Sequence, residues 1–260
     1  MNNFLDTLRP QVLQRAEHIK LHTNNKVTND THLKEMDFLT IFREKKPVII
    51  AEIKFASPSK GDVYKGNLDH VAIAKSYLKN GASALSVLTE PNYFKGNIKY
   101  IKDIRNACPE CHILLKDFVL DKRQILQGKE YGANAVLLIA AFLEFEQMKF
   151  LYNFALDLGL TPLIEIHTAK ELERVLTLKP QLIGINNRDL RSLKIDLTVS
   201  RELIKGIEDN IYVISESGID NAKTMKEMIG LGFDGFLIGS SFMQSPDPGL
   251  ALDKILREFE

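Results

Sequence analysis

The chain has 260 residues, a length that suits one large domain or two small ones, and 45% of them are hydrophobic, which supports a sizeable core. Lysine plus arginine equals aspartate plus glutamate at 34 each, so the overall charge gives no argument for binding nucleic acid or a membrane surface, although a local basic patch stays open. The longest apolar run, residues 135–143, is too short to span a bilayer. The N-terminus carries no apolar signal region, and we therefore expect a cytoplasmic protein.

The first part of the chain has the pattern of an amphipathic helix. Apolar residues recur at three- and four-residue spacing between Leu5 and Ile19, which predicts a helix over residues 2 to about 22. Residues 24–30 are polar and typical of a loop. A second, short helix is predicted over residues 33–43.

From Pro47 onwards, short aliphatic runs alternate with longer amphipathic segments. Eight runs have the character of buried strands: 48–54, 84–88, 112–116, 135–140, 161–165, 182–186, 211–215 and 235–238. Helical patterns follow them at 71–80, 98–107, 123–131, 145–158, 169–178, 201–207, 222–231 and 249–259.

Glycine marks the end of several of these helices. Gly81, Gly132 and Gly232 stand where a helix passes into the next strand, the position at which glycine takes a left-handed conformation. Eight strand–helix units in this length predict an α/β fold, a (β/α)₈ TIM barrel. A doubly wound open sheet is the alternative, but such a sheet rarely needs eight evenly spaced units. We expect a single domain over 1–260, with an N-terminal helical extension at 1–46 and the barrel at 47–260.

Charged residues stand at the carboxyl ends of the predicted strands, where barrel enzymes carry their active sites. Glu52 and Lys54 are two residues apart and therefore leave the first strand on the same face. Burying such a pair costs several kcal/mol unless the charges are paired or used. Similar groups end other strands: Lys116, Glu165, Asn186, Arg188 and Glu216. Two lysines and two or three glutamates in one cavity would have separated pKa values, and such a cavity supplies a proton donor and a proton acceptor.

The ends of the seventh and eighth strands have the small residues of a phosphate site. Ser217, Gly218, Gly239 and Ser240 offer backbone N–H groups with little side-chain obstruction. The segment that starts near Ser241 can begin a short extra helix, as in many barrels that bind phosphate.

Two other site types are disfavoured by context. The G-x-G-x-x-G match at residues 230–235 closes a helix and opens a strand, the reverse of a dinucleotide-binding motif. Histidines and cysteines do not cluster as metal ligands, and His167, after the fifth strand, has poor ligands beside it. We therefore expect no metal.

The strand-end segments together resemble those of the indole-3-glycerol phosphate synthase family, from about residue 47 to the C-terminus, and the helical extension before them also fits. The matching segments are IIAEIKFASPSKG, LSVLTEPNYFKG, ILLKDFVLD, AVLLIAA, PLIEIHT, IGINNRDL, ISESGI and FLIGSSFM. Two departures are Phe55, where the family often has a second lysine, and a shortened segment before the first strand.

This resemblance implies ring closure, decarboxylation and dehydration of 1-(2-carboxyphenylamino)-1-deoxyribulose 5-phosphate to indole-3-glycerol phosphate, a step of tryptophan biosynthesis, without a cofactor. It implies that Lys116 is the general acid that protonates the ketone oxygen. Lys54 would lie near the substrate carboxylate and serve as a second acid. Glu52 and Glu165 would be the acid–base carboxylates, and which of them moves which proton stays open.

The resemblance also implies a set of binding residues. Glu216 and Asn186 would position hydroxyls, and Arg188 would contact the carboxylate. Phe94 and Phe118 would flank the aromatic ring. The phosphate would be held by Ser57, Ser217, Gly218, Gly239 and Ser240. The expected partner is this small phosphorylated substrate, with the chain a monomer that associates weakly, if at all, with other enzymes of the tryptophan pathway.

Three alternatives stay open. A barrel enzyme like phosphoribosylanthranilate isomerase would use a cysteine base after the first strand, whereas both cysteines of this chain lie elsewhere. A Schiff-base aldolase would use Lys116 or Lys54 as its nucleophile. A non-catalytic phosphate-binding barrel would not need charged strand ends.

Overall fold

The structure is a computed structural model, and it describes residues 4–20, 36–44 and 47–260. Within these ranges no helix is long and apolar enough to cross a membrane. The predicted loop at 24–30 lies outside the described residues, as do both ends of the first predicted helix, at 2–3 and 21–22, and the start of the second, at 33–35.

Eight parallel strands close into a barrel, in the order β1-β10-β9-β8-β7-β6-β5-β4. The closing pairs join Val48 to Gly235 on one side of the first strand and Ile50 to Ala84 on the other. This confirms the predicted (β/α)₈ fold. The barrel strands are β1 Val48–Ile53, β4 Ala84–Leu88, β5 Ile113–Lys116, β6 Ala135–Ile139, β7 Thr161–Ile166, β8 Leu182–Asn186, β9 Tyr212–Glu216 and β10 Gly235–Ile238.

Helices follow the strands around the outside. Their bounds are α3 His70–Lys79, α4 Pro91–Phe94, α5 Lys99–Ala107, α6 Lys122–Glu130, α7 Phe145–Asp157, α8 Ala169–Leu176, α9 Thr198–Leu203, α10 Ala222–Gly230, α11 Ser240–Met243 and α12 Pro248–Phe259. They follow α1 Phe4–Glu17 and α2 Ile41–Glu44 of the N-terminal part.

Local sequence signals fix where these helices begin and end. Asp69 and Thr168, for example, accept hydrogen bonds from backbone N–H groups in the first turn of α3 and α8. At the other end, Gly81, Gly132 and Gly232 have φ angles of 101°, 101° and 106°, the left-handed region that glycine adopts without strain. The expected glycine caps are confirmed, and they turn each chain segment back into the next strand.

Several predicted boundaries were wrong. Helix α1 ends at Glu17, where i→i−3 bonds of 3.2 and 3.3 Å tighten the last turn at residues 18 and 19. The segment predicted as helix 33–43 begins in the described residues only at Phe38, as a 3₁₀ turn, because Asp37 caps it from an extended conformation. The segment 201–207 is helical only to Leu203 and continues as a 3₁₀ turn.

A two-stranded hairpin was missed by the sequence reading. Strands β2 Ala56–Ser57 and β3 Gly61–Asp62 pair antiparallel directly after β1. Gly61 makes the turn with a φ of 62°. The hairpin places Lys60 beside the carboxyl ends of the barrel strands.

The N-terminal helix packs on this same end of the barrel. Arg15 of α1 forms an ion pair with Asp117, the residue after β5, and Arg9 donates to the carbonyl of Phe142. The ring of Phe4 meets that of Phe118 edge-on, with centroids 6.0 Å apart. The extension therefore supports the loop that follows Lys116.

Candidate active site

A cavity of about 330 Å³ opens at the carboxyl ends of the strands. Thirteen of the fourteen site residues named from the sequence line it. They are Glu52, Lys54, Phe94, Lys116, Phe118, Glu165, Asn186, Arg188, Glu216, Ser217, Gly218, Gly239 and Ser240.

Ser57 is the exception. It lies in the hairpin after β1 and is not among the lining residues, although its hydroxyl oxygen is buried without a hydrogen-bond partner in the described part of the chain.

Glu52 and Lys54 form one wall of the cavity, at the end of β1. As their spacing predicted, they share a face, and the lysine ammonium donates to Glu52 Oε1. Gly239 packs against this carboxylate so closely that a methyl group there would come within 2.8 Å of Glu52 Cβ. A small residue at this position therefore lets Glu52 occupy the mouth of the barrel.

Lys116 is the cation of the opposite wall. Its Nζ lies 2.6 Å from Glu216 Oε2 and 3.5 Å from Glu165 Oε2, so one ammonium serves two carboxylates from β7 and β9. Oε1 of both glutamates is buried without a hydrogen-bond partner among the described residues. Such unsatisfied atoms at a cavity are typical of a site that completes its contacts with a ligand.

The environments of the carboxylates push their pKa values in opposite directions. Burial raises the pKa of Glu52, but Lys54, Lys116 and Arg188 outweigh it, and the net direction is downward. Burial, together with the charge of Glu165, raises the pKa of Glu216 to about 7 despite the nearby Lys116. Two acids with opposite shifts provide an acceptor and a donor of protons in one cavity.

Lys116 and Arg188 remain cations in this cavity. Burial would lower the pKa of Lys116, yet Glu216, Glu165 and Glu52 raise it above its usual value. Burial lowers the pKa of Arg188, but an arginine starts from so high a value that it keeps its charge. The Arg188 guanidinium donates to the Leu193 carbonyl at 2.8 Å, which fixes its reach over the cavity.

Aromatic and aliphatic side chains form a third, apolar side of the cavity. The rings of Phe94 and Phe118 lie with centroids 6.0 Å apart at an angle of 39°. Leu88, Leu137 and Leu190 also line the cavity. A planar aromatic group fits this side better than a charged one, because apolar walls desolvate what they cover.

The fourth side consists of backbone and small residues. Ser217 and Gly218 follow β9 with φ angles of 64° and 80°, which is left-handed for two successive residues. Buried Asn187 supports this turn, since its Nδ2 lies 3.1 Å from the Glu216 carbonyl and 3.0 Å from that of Ser217. The expected short helix after Gly239 is confirmed as α11, Ser240–Met243.

Sequence reasoning missed three residues that shape this site. Asn187 is not among the residues named from the sequence, and its role depends on hydrogen bonds to the carbonyls of Glu216 and Ser217, 29 and 30 residues further along the chain. Gly184 lies in β8 where a methyl group would overlap Glu216 Oε1. A glycine inside an apolar strand is a signal of such a close approach, and it was not used. His167 contacts Glu165 with Nε2 and Oε1 3.5 Å apart.

A closed parallel barrel with a lysine–glutamate cluster in a cavity at its carboxyl end is the architecture of a (β/α)₈-barrel enzyme. The model of one family, indole-3-glycerol phosphate synthase, matches residues 1–255. The chain belongs to the indole-3-glycerol phosphate synthase family, and it is accordingly a carboxy-lyase.

Relatives support this over most of the chain. An indole-3-glycerol phosphate synthase of Chromobacterium violaceum is 41% identical over 223 residues, which is 84% of this chain and 83% of the relative. One of Aliarcobacter butzleri is 37% identical over 249 residues, covering 95% and 94%.

Solved structures confirm the fold alone. A 3-hexulose-6-phosphate synthase of Salmonella typhimurium superposes with a TM-score of 0.64 at 11% identity, over 82% of this chain and 100% of that one. A thiamine phosphate pyrophosphorylase of Pyrococcus furiosus gives 0.61 at 16% identity, over 84% and 96%.

Proposed function

We propose that this cavity converts 1-(2-carboxyphenylamino)-1-deoxyribulose 5-phosphate to indole-3-glycerol phosphate by ring closure, decarboxylation and dehydration of the substrate. The catalysis is acid–base catalysis by side chains alone. The observation that carries the proposal is the shared cation of the cavity, Lys116, whose Nζ lies within 3.5 Å of carboxylates on two different strands. An ammonium held in this way can donate a proton to an oxygen and recover it from a neighbouring acid.

Lys116 acts as the general acid of ring closure. The aromatic carbon that bears the carboxylate attacks the ketone carbon, and the ketone oxygen takes a proton from the ammonium as it becomes a hydroxyl. The Lys116 ammonium is buried, so little water screens its charge, and its electrostatic stabilisation of the developing oxyanion is large. Glu216 and Asn186 position the substrate hydroxyls beside it.

Decarboxylation follows because ring closure leaves the attacking ring carbon, which still bears the carboxylate, tetrahedral. The C–C bond to the carboxylate breaks, and its electron pair restores the aromatic ring. Lys54 and Arg188 lie where they can hold the carboxylate before it leaves as CO₂. The apolar side of the cavity promotes this step by removing water from the carboxylate.

Dehydration needs one acid and one base. The hydroxyl leaves as water after protonation, and the neighbouring ring CH₂ carbon loses a proton, so that its electron pair forms the indole double bond. Glu52 and Glu165 are the acid–base pair for these transfers, with Lys54 as a second acid. Lys54, Lys116 and Arg188 lower the pKa of Glu52 although burial raises it. The carboxylate is therefore kept ionised, as a base must be.

The two ends of the substrate are held apart so that the chain between them folds into reacting geometry. Phe94 and Phe118 flank the aromatic ring. The phosphate is bound by Ser217, Gly218, Gly239 and Ser240 at the small-residue side, and we propose that Ser57 reaches it when the hairpin closes.

The test is an indole fluorescence assay on the purified chain with this substrate, with and without excess EDTA. We expect a rising indole signal of equal rate in both. A rate abolished by EDTA and restored by a divalent metal would contradict catalysis by side chains alone.

The alternatives have their own tests. A Schiff-base enzyme would be trapped covalently by borohydride in the presence of substrate, and we expect no adduct on Lys116 or Lys54. A non-catalytic barrel would bind the substrate without turnover.

Four further statements stay predictions: the monomeric state, weak association with enzymes of the tryptophan pathway, cytoplasmic location and the domain division at residue 47. Light scattering of the purified chain, co-purification and cell fractionation would test the first three, and truncation at residue 47 the fourth.

A further inference from the structure

His167 follows β7 immediately and lies behind Glu165, outside the catalytic cavity. It is not among the residues that line that cavity, but it lines a second one, of about 1120 Å³, together with Glu171 and residues after β8. Its side chain is 10% exposed. A substrate in the first cavity therefore reaches Glu165 but not His167.

The imidazole stands between two carboxylates. Nε2 lies 3.5 Å from Glu165 Oε1, and Nδ1 lies 3.7 Å from Glu171 Oε2. Both ring nitrogens are buried without a hydrogen-bond partner among the described residues. A neutral imidazole offers one N–H, whereas the protonated ring directs an N–H at each carboxylate, so the charged form suits this place.

Glu171 is itself fixed by the start of α8. Its Oε2 accepts the backbone N–H of His167 at 2.7 Å, while the Thr168 hydroxyl accepts the backbone N–H of Glu171 at 3.2 Å. These reciprocal bonds at a helix N-terminus hold the carboxylate beside the imidazole. The histidine is thus anchored from the side that faces away from the substrate.

Each oxygen of Glu165 consequently faces one cationic side chain. Oε2 lies 3.5 Å from Lys116 Nζ, and Oε1 lies 3.5 Å from His167 Nε2. Glu165 is 2% exposed, so water contributes little to its solvation. Without His167, Oε1 would face no cation in the described site.

We propose that His167, held by Glu171, is a positioning residue for Glu165: its ring orients the carboxylate from the side that faces away from the substrate while Lys116 takes part in proton transfer. The inference rests on the proposed catalytic role of Glu165.

The charges around the ring favour its protonated form. Burial would lower the pKa of His167, but Glu171 and Glu165, with a smaller effect of Glu216, raise it above the ordinary value. Asp189, after β8, also interacts with this ring, and Lys116 is the opposing cation beyond Glu165.

The first experiment compares pH profiles of kcat and kcat/KM for the wild type, His167→Gln, Glu171→Gln and Glu165→Gln, with His18→Gln, at an exposed position just after α1, as the matched control. In His167→Gln we expect kcat to fall on the order of tenfold with little change in KM. Because a positive charge beside the active-site carboxylates is lost, the acidic limb of the profile should move to higher pH. Glu171→Gln should move it the same way by less, and His18→Gln not at all.

The second experiment does not need the variant at 167 to fold. Nitrogen-15 NMR of the imidazoles in the wild type should give His167 a pKa above the usual value of about 6.5 and a lower one in Glu171→Gln. Two results would overturn the proposal. One is a folded His167→Gln variant whose pH profile has the same acidic limb as the wild type, and the other is a His167 pKa that is at or below the usual value and is unchanged in Glu171→Gln. If Glu165→Gln itself kept near-normal turnover, the proposed function of Glu165 would fail instead, which separates the two claims.

Discussion

The two ends of the barrel treat their buried polar groups differently. At the amino ends of the strands, Asn134 Oδ1 accepts the N–H of Ile113 at 3.0 Å, and Asp234 Oδ2 accepts that of Val213 at 2.9 Å. At the carboxyl ends, Oε1 of Glu165 and of Glu216 is buried with no such partner in the described part of the chain.

This difference separates stability from function within one fold. A buried polar group that is hydrogen-bonded adds stability, whereas an unsatisfied one costs free energy that only a ligand or a reaction can make useful. Changes at the amino ends should therefore alter the free energy of unfolding, and changes at the carboxyl ends should alter turnover.

The largest effect is expected for Lys116→Met. Loss of the proposed general acid should lower kcat by about 10² or more, because no other ammonium in the described site touches both Glu165 and Glu216. Steady-state kinetics and urea unfolding on the same preparation check it. Near-normal turnover would remove Lys116 from its proposed role.

The opposite result is expected for Asn134→Leu. The change leaves the N–H of Ile113 without its acceptor and removes one of the acceptors of the Arg105 guanidinium, at a cost of about 1–3 kcal/mol of unfolding free energy. Urea unfolding would measure it, and Asn153→Leu on the exposed side of α7 is the control. The comparison breaks if Asn134→Leu loses kcat/KM but keeps its stability.

Gly184→Ala tests whether the position of the Glu216 carboxylate matters for turnover. The added methyl overlaps Glu216 Oε1, so the carboxylate must move from Lys116, and kcat should fall roughly tenfold. The control is Gly230→Ala in α10, where no described atom lies within 4 Å of the new methyl. Equal activity of the two variants would show that the position of Glu216 is not critical.

The most gradual effect is a pH dependence of stability. Because the pKa of Glu216 is raised by burial and by Glu165 to about 7, the folded state binds more protons than the unfolded state above about pH 4.3. This group should therefore destabilise the fold progressively as the pH rises from about 4.3 to 7, and not further above that.

Unfolding of the wild type and Glu216→Gln at several pH values measures this effect. The free energy of unfolding of the wild type relative to the variant should fall by about 1 kcal/mol per pH unit in that window and then stay level. A difference independent of pH would mean that Glu216 titrates alike in both states.

Much of the fold could be predicted because its signals are local. Apolar runs, cap residues and glycines such as Gly132 are read within a few positions, and the eight strands followed from them. The boundaries that failed, such as the end of α1, depend on the last turn closing early rather than on the apolar pattern.

The residues of the candidate site also differ in whether a local sequence signal reveals them. Glu52, Lys54 and Lys116 stood out since charges rarely end buried strands without a use. Gly184 and Asn187 did not, because their roles depend on how β8 pairs with the strands on either side. Gly184 lies beside Glu165 of β7, and Asn187 reaches the turn after β9. The contact between His167 and Glu165 likewise needs the folded positions of two side chains.

The most direct test of the central claim follows both products of one reaction. The wild-type chain is given substrate labelled with carbon-13 in its carboxylate, and labelled CO₂ and indole-3-glycerol phosphate are quantified together by mass spectrometry. The account predicts that one CO₂ is released for each indole product formed. An isomerised product that retains its carboxylate, with no labelled CO₂, would contradict it.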